Sequence, residues 1–230
     1  MKVVIIKYNA GNVQSVLFAL ERIGVKGILS DHPQEIISAD KVIFPGVGEA
    51  SSAMKYLKEK KLDEVIKNLK QPTLGICLGM QLMCKHSEEG NTDCLGIFPL
   101  EVKKLAPALP EKVGMETHNL SLSRRDSFER EKGKEKFKVP QIGWNTIFDL
   151  KGKLFDDIKE NQYVYFVHAY YAEKGNDAIA KTNYILEYSS ALQKNNFYGV
   201  QFHPEKSSDA GQKILENFLN LPQPPKAVCL

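Results

Sequence analysis

The chain has 230 residues, of which 43% are hydrophobic and 26% are charged, and its formal net charge is +3. This length is enough for one domain with a large core, and the composition excludes a largely disordered chain. The segment 124–138 carries seven basic and four acidic residues and so accounts for the whole charge excess. We therefore expect no nucleic-acid partner. The apolar run near the start, Val3–Ile6, is far too short for a signal peptide or a membrane span, which predicts a cytoplasmic protein without a membrane partner.

The first ninety residues alternate between strand-like and helix-like patterns. Residues 2–8 are a β-branched run typical of a buried strand, and apolar residues then recur at helical spacing from 13 to 23 until Gly24. Further strands are predicted near 27–29 and 41–44, with a short polar piece between them, and a helical stripe follows over 57–69. A fourth strand, 73–76, leads to Cys77 and another helix. This alternation predicts a parallel sheet with right-handed crossovers.

The second half of the chain is mostly strand-like. The predicted strands are at 95–102, 137–148, 163–171, 178–186 and 198–202, and a last helix begins at Ser207 or Ser208. Prolines and charges mark 107–136 as a surface insertion, and residues 223–230 as a loose tail. We therefore predict a single α/β domain over residues 1–222, with a mostly parallel central sheet flanked by helices and with antiparallel additions from the second half.

The strongest local signal is Gly75-Ile76-Cys77-Leu78-Gly79, which has the form of a nucleophile elbow between a strand and a helix. The tight turn holds the nucleophile in a strained backbone conformation, so its neighbours must lack bulk. The sulfur is then at the C-terminal edge of the sheet and at the start of a helix, which favours a thiolate. The alternative is a buried cysteine between two packing glycines.

A thiolate that acts as a nucleophile needs a base and a group that orients the base. His203-Pro204-Glu205 follows a predicted strand and offers an imidazole and a carboxylate at fixed spacing. Alone, this tripeptide is equally consistent with a loop histidine and a solvated charge. Together with the elbow, it predicts a catalytic set of Cys77, His203 and Glu205.

Acyl transfer also needs donors for an oxyanion. The turn Phe44-Pro45-Gly46-Val47-Gly48 ends the third strand and presents backbone N–H groups, and the N–H of Leu78 is a second candidate. The alternative is an ordinary strand-to-helix turn, in which glycines are common.

These segments resemble the class I, triad-type glutamine amidotransferases, and within them the glutaminase subunits of imidazole glycerol phosphate synthases. The elbow and H-P-E indicate the superfamily, whereas P-G-V-G, I-G-W-N and Y-F-V-H are specific to these subunits. The matching segments span nearly the whole chain, at residues 9–16, 45–50, 72–82, 139–145, 165–170 and 198–207.

The resemblance implies a flavodoxin-like amidotransferase fold and a role for each matching residue. Cys77 would be the nucleophile, His203 the base and acid, and Glu205 its orienter. The remaining positions imply oxyanion donors at Val47 and Leu78, glutamine-binding positions at Gly48, Gln81, Ala169 and Tyr170, and a partner-facing surface at Asn12, Trp144, Tyr165 and His168. The reaction implied is glutamine hydrolysis without a metal or organic cofactor. The ammonia would pass to a barrel-shaped cyclase, held in a heterodimer, for histidine biosynthesis.

Three positions depart from the family pattern: Lys7 replaces an aspartate, Asn9 a glycine and Ala169 a serine. None of them belongs to the catalytic set, but they leave the identity of the synthase partner open. A paralogous subunit that supplies ammonia to another synthase, as in sugar amidation, and a non-catalytic binding module are the alternatives.

Four cysteines, Cys77, Cys84, Cys94 and Cys229, are too few and too scattered for a disulfide framework. Cys77, Cys84 and His86 also lack the paired spacing of a zinc site. We therefore expect no metal.

Overall fold

The computed structural model describes residues 1–8, 11, 13–106 and 137–223. The predicted partner-facing Asn12, the departure Asn9, the predicted insertion 107–136 and all but the first residue of the predicted tail lie outside these ranges.

The first half forms the parallel part of the sheet. In chain order, it contains strand β1 (Val3–Ile6), helix α1 (Val13–Arg22), β2 (Gly27–Ser30), α2 (Pro33–Ile37), β3 (Lys41–Phe44), α3 (Ala50–Glu59), α4 (Leu62–Lys67), β4 (Thr73–Ile76) and α5 (Leu78–Met83). All residues of β1, β3 and β4 are buried, because helices cover both faces of the sheet. The predicted strand and helix alternation is confirmed.

The second half extends this sheet with antiparallel strands. It contains β5 (His86–Ser87), β6 (Thr92–Asp93), β7 (Glu101–Lys104), β8 (Gln141–Ile147), β9 (Gln162–His168), β10 (Tyr170–Ala172), β11 (Ala178–Tyr184), β12 (Leu186–Lys194), β13 (Phe197–Val200) and helix α6 (Ser208–Asn220), with 3₁₀ turns at Lys153–Phe155 and Pro204–Lys206. Among the described residues, eleven strands form one sheet in the order β2-β1-β3-β4-β13-β12-β10-β7-β5-β6, with β11 paired to β12. Strands β1 to β4 and β13 are parallel, so the predicted fold class is confirmed.

Two cores lie on opposite faces of the sheet. Val3 and Ile5 of β1 face a core that α1 and α6 complete, whereas Val4 and Ile6 face a core that α2, α3, α4 and α5 complete. Alternate residues of one strand therefore serve the two helical layers.

Strands β8 and β9 form a separate antiparallel ribbon. Its inner side chains, such as Phe166, are buried in the first core. Its outer face carries exposed apolar side chains, with Ile142 63%, Trp144 52% and Tyr163 58% exposed. Only the inner face of the ribbon therefore packs against the rest of the described structure.

The prediction of a strand over 95–102 is wrong for its first six residues. Leu95, Gly96 and Phe98 donate their N–H groups to the carbonyls of Leu82, Cys84 and Met83, at the end of α5. These N–H groups cap the last turn of the helix, so they are not available for hydrogen bonds between strands. Strand β7 therefore begins only at Glu101.

Candidate active site

Cys77 lies on the tight turn between β4 and α5. Its backbone has φ 52° and ψ −110°, so this non-glycine residue is in a strained, left-handed region. A Cβ on Gly75 would lie 2.7 Å from the Met80 nitrogen, and a Cβ on Gly79 would lie 1.8 Å from the Phe44 carbonyl oxygen. Both glycines are therefore sterically required, and the predicted elbow geometry is present.

The Cys77 thiol is buried against strands β9 and β13. The Cys77 N–H donates to the carbonyl of Val200 at 2.7 Å. Its Sγ lies 3.6 Å from the Val167 carbonyl oxygen and 3.6 Å from Nε2 of Gln201. The sulfur is thus held between the ribbon and the end of the central sheet.

His203 and Glu205 follow β13, the parallel neighbour of β4. Because Val200 is paired with Ile76, the residues after these strands meet at one edge of the sheet. Nδ1 of His203 lies 2.7 Å from Oε1 of Glu205, and both side chains are almost fully buried. Nε2 of His203 faces Cys77, and a hydrogen bond between the two side chains contributes to the electrostatics of the imidazole. The second ring nitrogen is therefore available to exchange a proton with the sulfur or a substrate.

The electrostatics of His203 favour the imidazolium. Burial alone would lower the pKa of His203, but the electrostatic interaction and hydrogen bond with Cys77, together with the hydrogen bond with Glu205, outweigh burial and raise the pKa to about 10. Such a pairing of a sulfur with a charged imidazole is the arrangement of an activated cysteine nucleophile.

The predicted oxyanion turn is present, but neither of its two predicted N–H donors is available to an oxyanion at the thiol. The N–H of Leu78 donates to the Gly46 carbonyl at 3.3 Å. Because the C=O and N–H of a trans peptide point in opposite directions, the N–H of Val47 points away from Leu78. Tyr8 braces the turn through a hydrogen bond to the Pro45 carbonyl, and its hydroxyl would lie 2.3 Å from a Cβ on Gly46.

The predicted glutamine-binding residues meet beside Cys77. Nε2 of Gln81 donates to the Tyr170 carbonyl at 2.8 Å and to Oε1 of Gln201 at 3.0 Å. The Ala169 carbonyl accepts from Leu105 in the segment after β7, so the trans peptide directs the Tyr170 N–H to the opposite side. Gly48 is exposed, with φ +139°.

Comparisons with known proteins decide the family. The family described as Glutamine amidotransferase class-I matches residues 4–221. The chain belongs to the class I glutamine amidotransferase family. It is 50% identical over 221 residues to the imidazole glycerol phosphate synthase subunit HisH of Bacteroides fragilis, covering 96% of this chain and 100% of the relative. The HisH subunit of Vibrio parahaemolyticus is 43% identical over 227 residues, with 96% and 98% covered.

Solved structures share the fold of this amidotransferase at lower identity. A putative GMP synthase component from Thermoplasma acidophilum has a TM-score of 0.65 and 17% identity, covering 95% of this chain and 92% of that one. A glutamine amidotransferase from Thermotoga maritima has a TM-score of 0.58 and 17% identity, with 95% and 82% covered.

Two residues of the amidotransferase site were missed by the sequence analysis. Gln201, fully buried, connects Gln81 to the sulfur of Cys77, but a single glutamine in a strand carries no pattern. Glu89 accepts from the N–H of Ala50 at 2.9 Å, and burial raises its pKa. Because Ala50 lies two residues after Gly48, this carboxylate is near a predicted glutamine-binding position, and after burial its charge, with those of Glu88 and Glu49, raises the pKa of Tyr170. The Glu88-Glu89 pair was the sequence signal that could have found it.

The predicted partner-facing residues have different positions in this amidotransferase. Trp144 and Tyr165 are cross-strand neighbours on the outer face of the ribbon, with ring centroids 5.8 Å apart. His168 has its side chain buried, with both ring nitrogens engaged, and so presents no surface of its own. In the described ranges no cluster of three or more His, Cys, Asp or Glu could hold a metal, and no helix is long and apolar enough to cross a membrane.

Proposed function

We propose that this chain is the glutaminase subunit of an imidazole glycerol phosphate synthase in histidine biosynthesis. It hydrolyses glutamine to glutamate and ammonia, and the ammonia passes to a cyclase subunit. The observation that carries the proposal is the buried set of Cys77 on a strained elbow, His203 with its Nε2 facing Cys77, and Glu205 on Nδ1. The names of relatives at up to 50% identity support this synthase over another.

The reaction follows from the proton positions in this set. The Cys77 thiolate attacks the side-chain carbonyl carbon of glutamine and forms a C–S bond, so the carbonyl becomes an oxyanion. The C–N bond then breaks, and the leaving nitrogen takes the proton from Nε2 of His203 and departs as ammonia. Water attacks the thioester while His203 takes its proton, and glutamate leaves as the C–S bond breaks. Glu205 holds the imidazole in the orientation that both transfers need.

Glutamine would bind with its side-chain amide at Cys77 and its α-carbon near β10. The N–H of Tyr170 is directed to the side where Gln81 lies, which suits the α-carboxylate of the substrate. Glu89 offers a carboxylate for the α-ammonium group. Gln81 is fixed by two hydrogen bonds and lines the space between these ends.

The oxyanion turn supports a resting state that the partner activates. With the Gly46 carbonyl on the Leu78 N–H, one predicted donor is occupied and the other points away. A rotation of the single peptide between Gly46 and Val47 would free Leu78 and bring the Val47 N–H towards the sulfur. Such a rotation changes ψ of Gly46, and a glycine there permits the change at low cost.

The outer face of the ribbon is the surface proposed for the cyclase. It is apolar, and its aromatic residues are of the type that interface cores prefer. Strand β9 also touches the catalytic pair, because the Tyr165 carbonyl accepts from the His203 N–H at 2.9 Å and the Val167 carbonyl lies 3.6 Å from the sulfur. In a cytoplasmic heterodimer, a barrel-shaped cyclase bound to this face would therefore contact a strand whose backbone touches His203 and Cys77.

The substitution Cys77→Ser tests this function. A serine hydroxyl stays protonated where a thiolate forms, so glutamine-dependent synthesis by the complex should be abolished. Synthesis from added ammonium salts should continue, because the cyclase does not use Cys77. Cys84→Ser is the matched control, since Cys84 lies in the second core, and should retain both activities. Glutamine-dependent turnover by the Cys77→Ser complex would contradict the proposal.

A further inference from the structure

His168 connects two buried hydrogen-bonding groups beside the glutamine site. Its Nδ1 lies 2.8 Å from the Tyr170 carbonyl oxygen, and its Nε2 lies 3.1 Å from the Tyr188 hydroxyl. Tyr188 is fully buried and in turn lies 2.9 Å from the side-chain amide of Gln141, the first residue of β8. The mechanism described above uses none of these three side chains.

The proton positions in this chain of hydrogen bonds follow from the acceptor at its end. A carbonyl oxygen only accepts, so Nδ1 of His168 must carry the proton. Burial lowers the pKa of His168 to about 4, so the ring is neutral near pH 7 and Nε2 carries no proton. The Tyr188 hydroxyl must then donate to Nε2.

This assignment also requires Gln141 to present a donor to Tyr188. With Oε1 of Gln141 facing Tyr188, Nε2 of Gln141 is buried without a hydrogen-bond partner in the part of the chain that the structure describes. The two ends of an amide side chain have nearly the same shape, and turning the group by 180° places Nε2 against the Tyr188 hydroxyl. Gln141 then donates to Tyr188, Tyr188 to His168, and His168 to Tyr170.

The last acceptor in this series belongs to the substrate site. The Tyr170 carbonyl accepts from His168 and from Gln81, so a donor occupies each of its two lone pairs. In an extended strand, the N–H and C=O of one residue point to the same side, so fixing this carbonyl also fixes the N–H proposed for the glutamine α-carboxylate.

We propose that His168 is a positioning residue of the glutamine site, which holds the Tyr170 carbonyl through its Nδ1–H while Tyr188 donates to its Nε2 and fixes the ring. This proposal rests on the proposed function, because the site that is positioned is the one that receives glutamine. His168 touches neither substrate nor sulfur in this arrangement and acts through Tyr170 and Gln81. Its loss should therefore weaken glutamine binding more than it slows the chemical steps.

The test is steady-state glutamine hydrolysis by the complex with the cyclase. His168→Leu should raise KM for glutamine roughly tenfold, as expected for one lost buried hydrogen bond, while kcat changes less than about twofold. His168→Asn should restore KM, because its amide nitrogen takes the place of Nδ1, whereas His168→Gln should not. Each variant leaves Tyr170 bonded to Gln81 and Tyr188 bonded to Gln141, so the fold should persist.

Tyr188→Phe tests the second half of the proposal. Without the hydroxyl, Nε2 of His168 loses its donor and the ring is held by one hydrogen bond instead of two, so the Tyr170 carbonyl is positioned less firmly and KM should rise severalfold. Tyr198→Phe is the matched control, because Tyr198 is also a buried tyrosine hydrogen-bonded to a glutamine, Gln193, and its variant should keep the wild-type KM.

The tautomer itself is measurable without glutamine. A long-range ¹H–¹⁵N spectrum of the histidine side chains should show the His168 proton on Nδ1 in the wild type. A proton on Nε2, or a wild-type KM for His168→Leu, would overturn the positioning role. A wild-type complex that hydrolyses no glutamine would instead refute the proposed function, and with it the role built on it.

Discussion

At the scale of single residues, the conformation and role of each residue in this site depend on its contacts. Cys77 is strained because the elbow requires a left-handed φ, and its flanking glycines are fixed by contacts that a Cβ could not share. Sequence spacing was sufficient to predict Cys77, His203 and Glu205, because a strand-to-helix turn and an H-P-E tripeptide each leave a local signature. Gln201 and Tyr188 leave none, since their roles come from contacts with residues far away along the chain.

The orienting carboxylate can be tested by one isosteric change. In Glu205→Gln, the amide can donate a hydrogen bond to Nδ1 of His203, so the single imidazole proton would be on Nε2. The imidazole could then not take up a second proton to become an imidazolium. We expect kcat for glutamine hydrolysis to fall by about 10²–10⁴, as for an orienting carboxylate elsewhere, with ammonium-dependent synthesis unchanged. A fall of less than tenfold, measured in the complex, would show that Glu205 does not orient the base.

Stability at acid pH should reveal His168. Its pKa is lowered to about 4 by burial and, to a lesser degree, by the charge of His203. The unfolded chain binds this proton near pH 6.5 and the folded chain does not, so the folded state loses stability as pH falls from 6.5 to 4, by roughly 3 kcal/mol. Urea unfolding at several pH values should show a steeper loss for the wild type than for His168→Asn. Parallel curves would contradict a buried, neutral His168.

At the scale of elements, strands with a regular apolar pattern were predicted well, whereas a buried strand that contains polar residues was missed. β4 lies where the apolar run 73–76 predicted it. β12 was missed because its central residues, Tyr188–Leu192, are buried on both faces and include two serines, so neither alternation nor an apolar run marks it. Ser189 is satisfied by the Glu173 carbonyl, a contact that no local pattern encodes.

The oxyanion turn is the element on which activation depends. Val47→Pro removes the N–H that the rotated peptide would supply, while the Gly46 carbonyl can still accept from Leu78. We expect the rate of the fully activated complex to fall by about 10²–10³, the worth of one oxyanion donor. Val47→Ala keeps the N–H and serves as the control. Equal activated rates for the two variants would exclude Val47 as the donor.

At the scale of the whole molecule, strand β9 belongs to the apolar outer face of the ribbon and also contacts the catalytic residues. The exposed Ile142, Trp144 and Tyr163 lie outside, while the backbone of the same strand reaches His203 and Cys77. The sequence predicted that Trp144 and Tyr165 face a partner, but the contact between β9 and the catalytic pair required the tertiary structure. Docking of a partner on this face can thus alter the site over a short distance.

Glutamine hydrolysis by this chain should depend on its partner, and a comparison of three rates tests that dependence. Hydrolysis is followed for the purified chain, for the chain with the cyclase, and for the complex with the cyclase substrate or an analogue. We expect a slow rate for the chain alone and a rate at least about 10²-fold higher in the last condition, because the missing oxyanion donor is supplied only there. Equal rates in all three conditions would contradict a glutaminase that its partner activates.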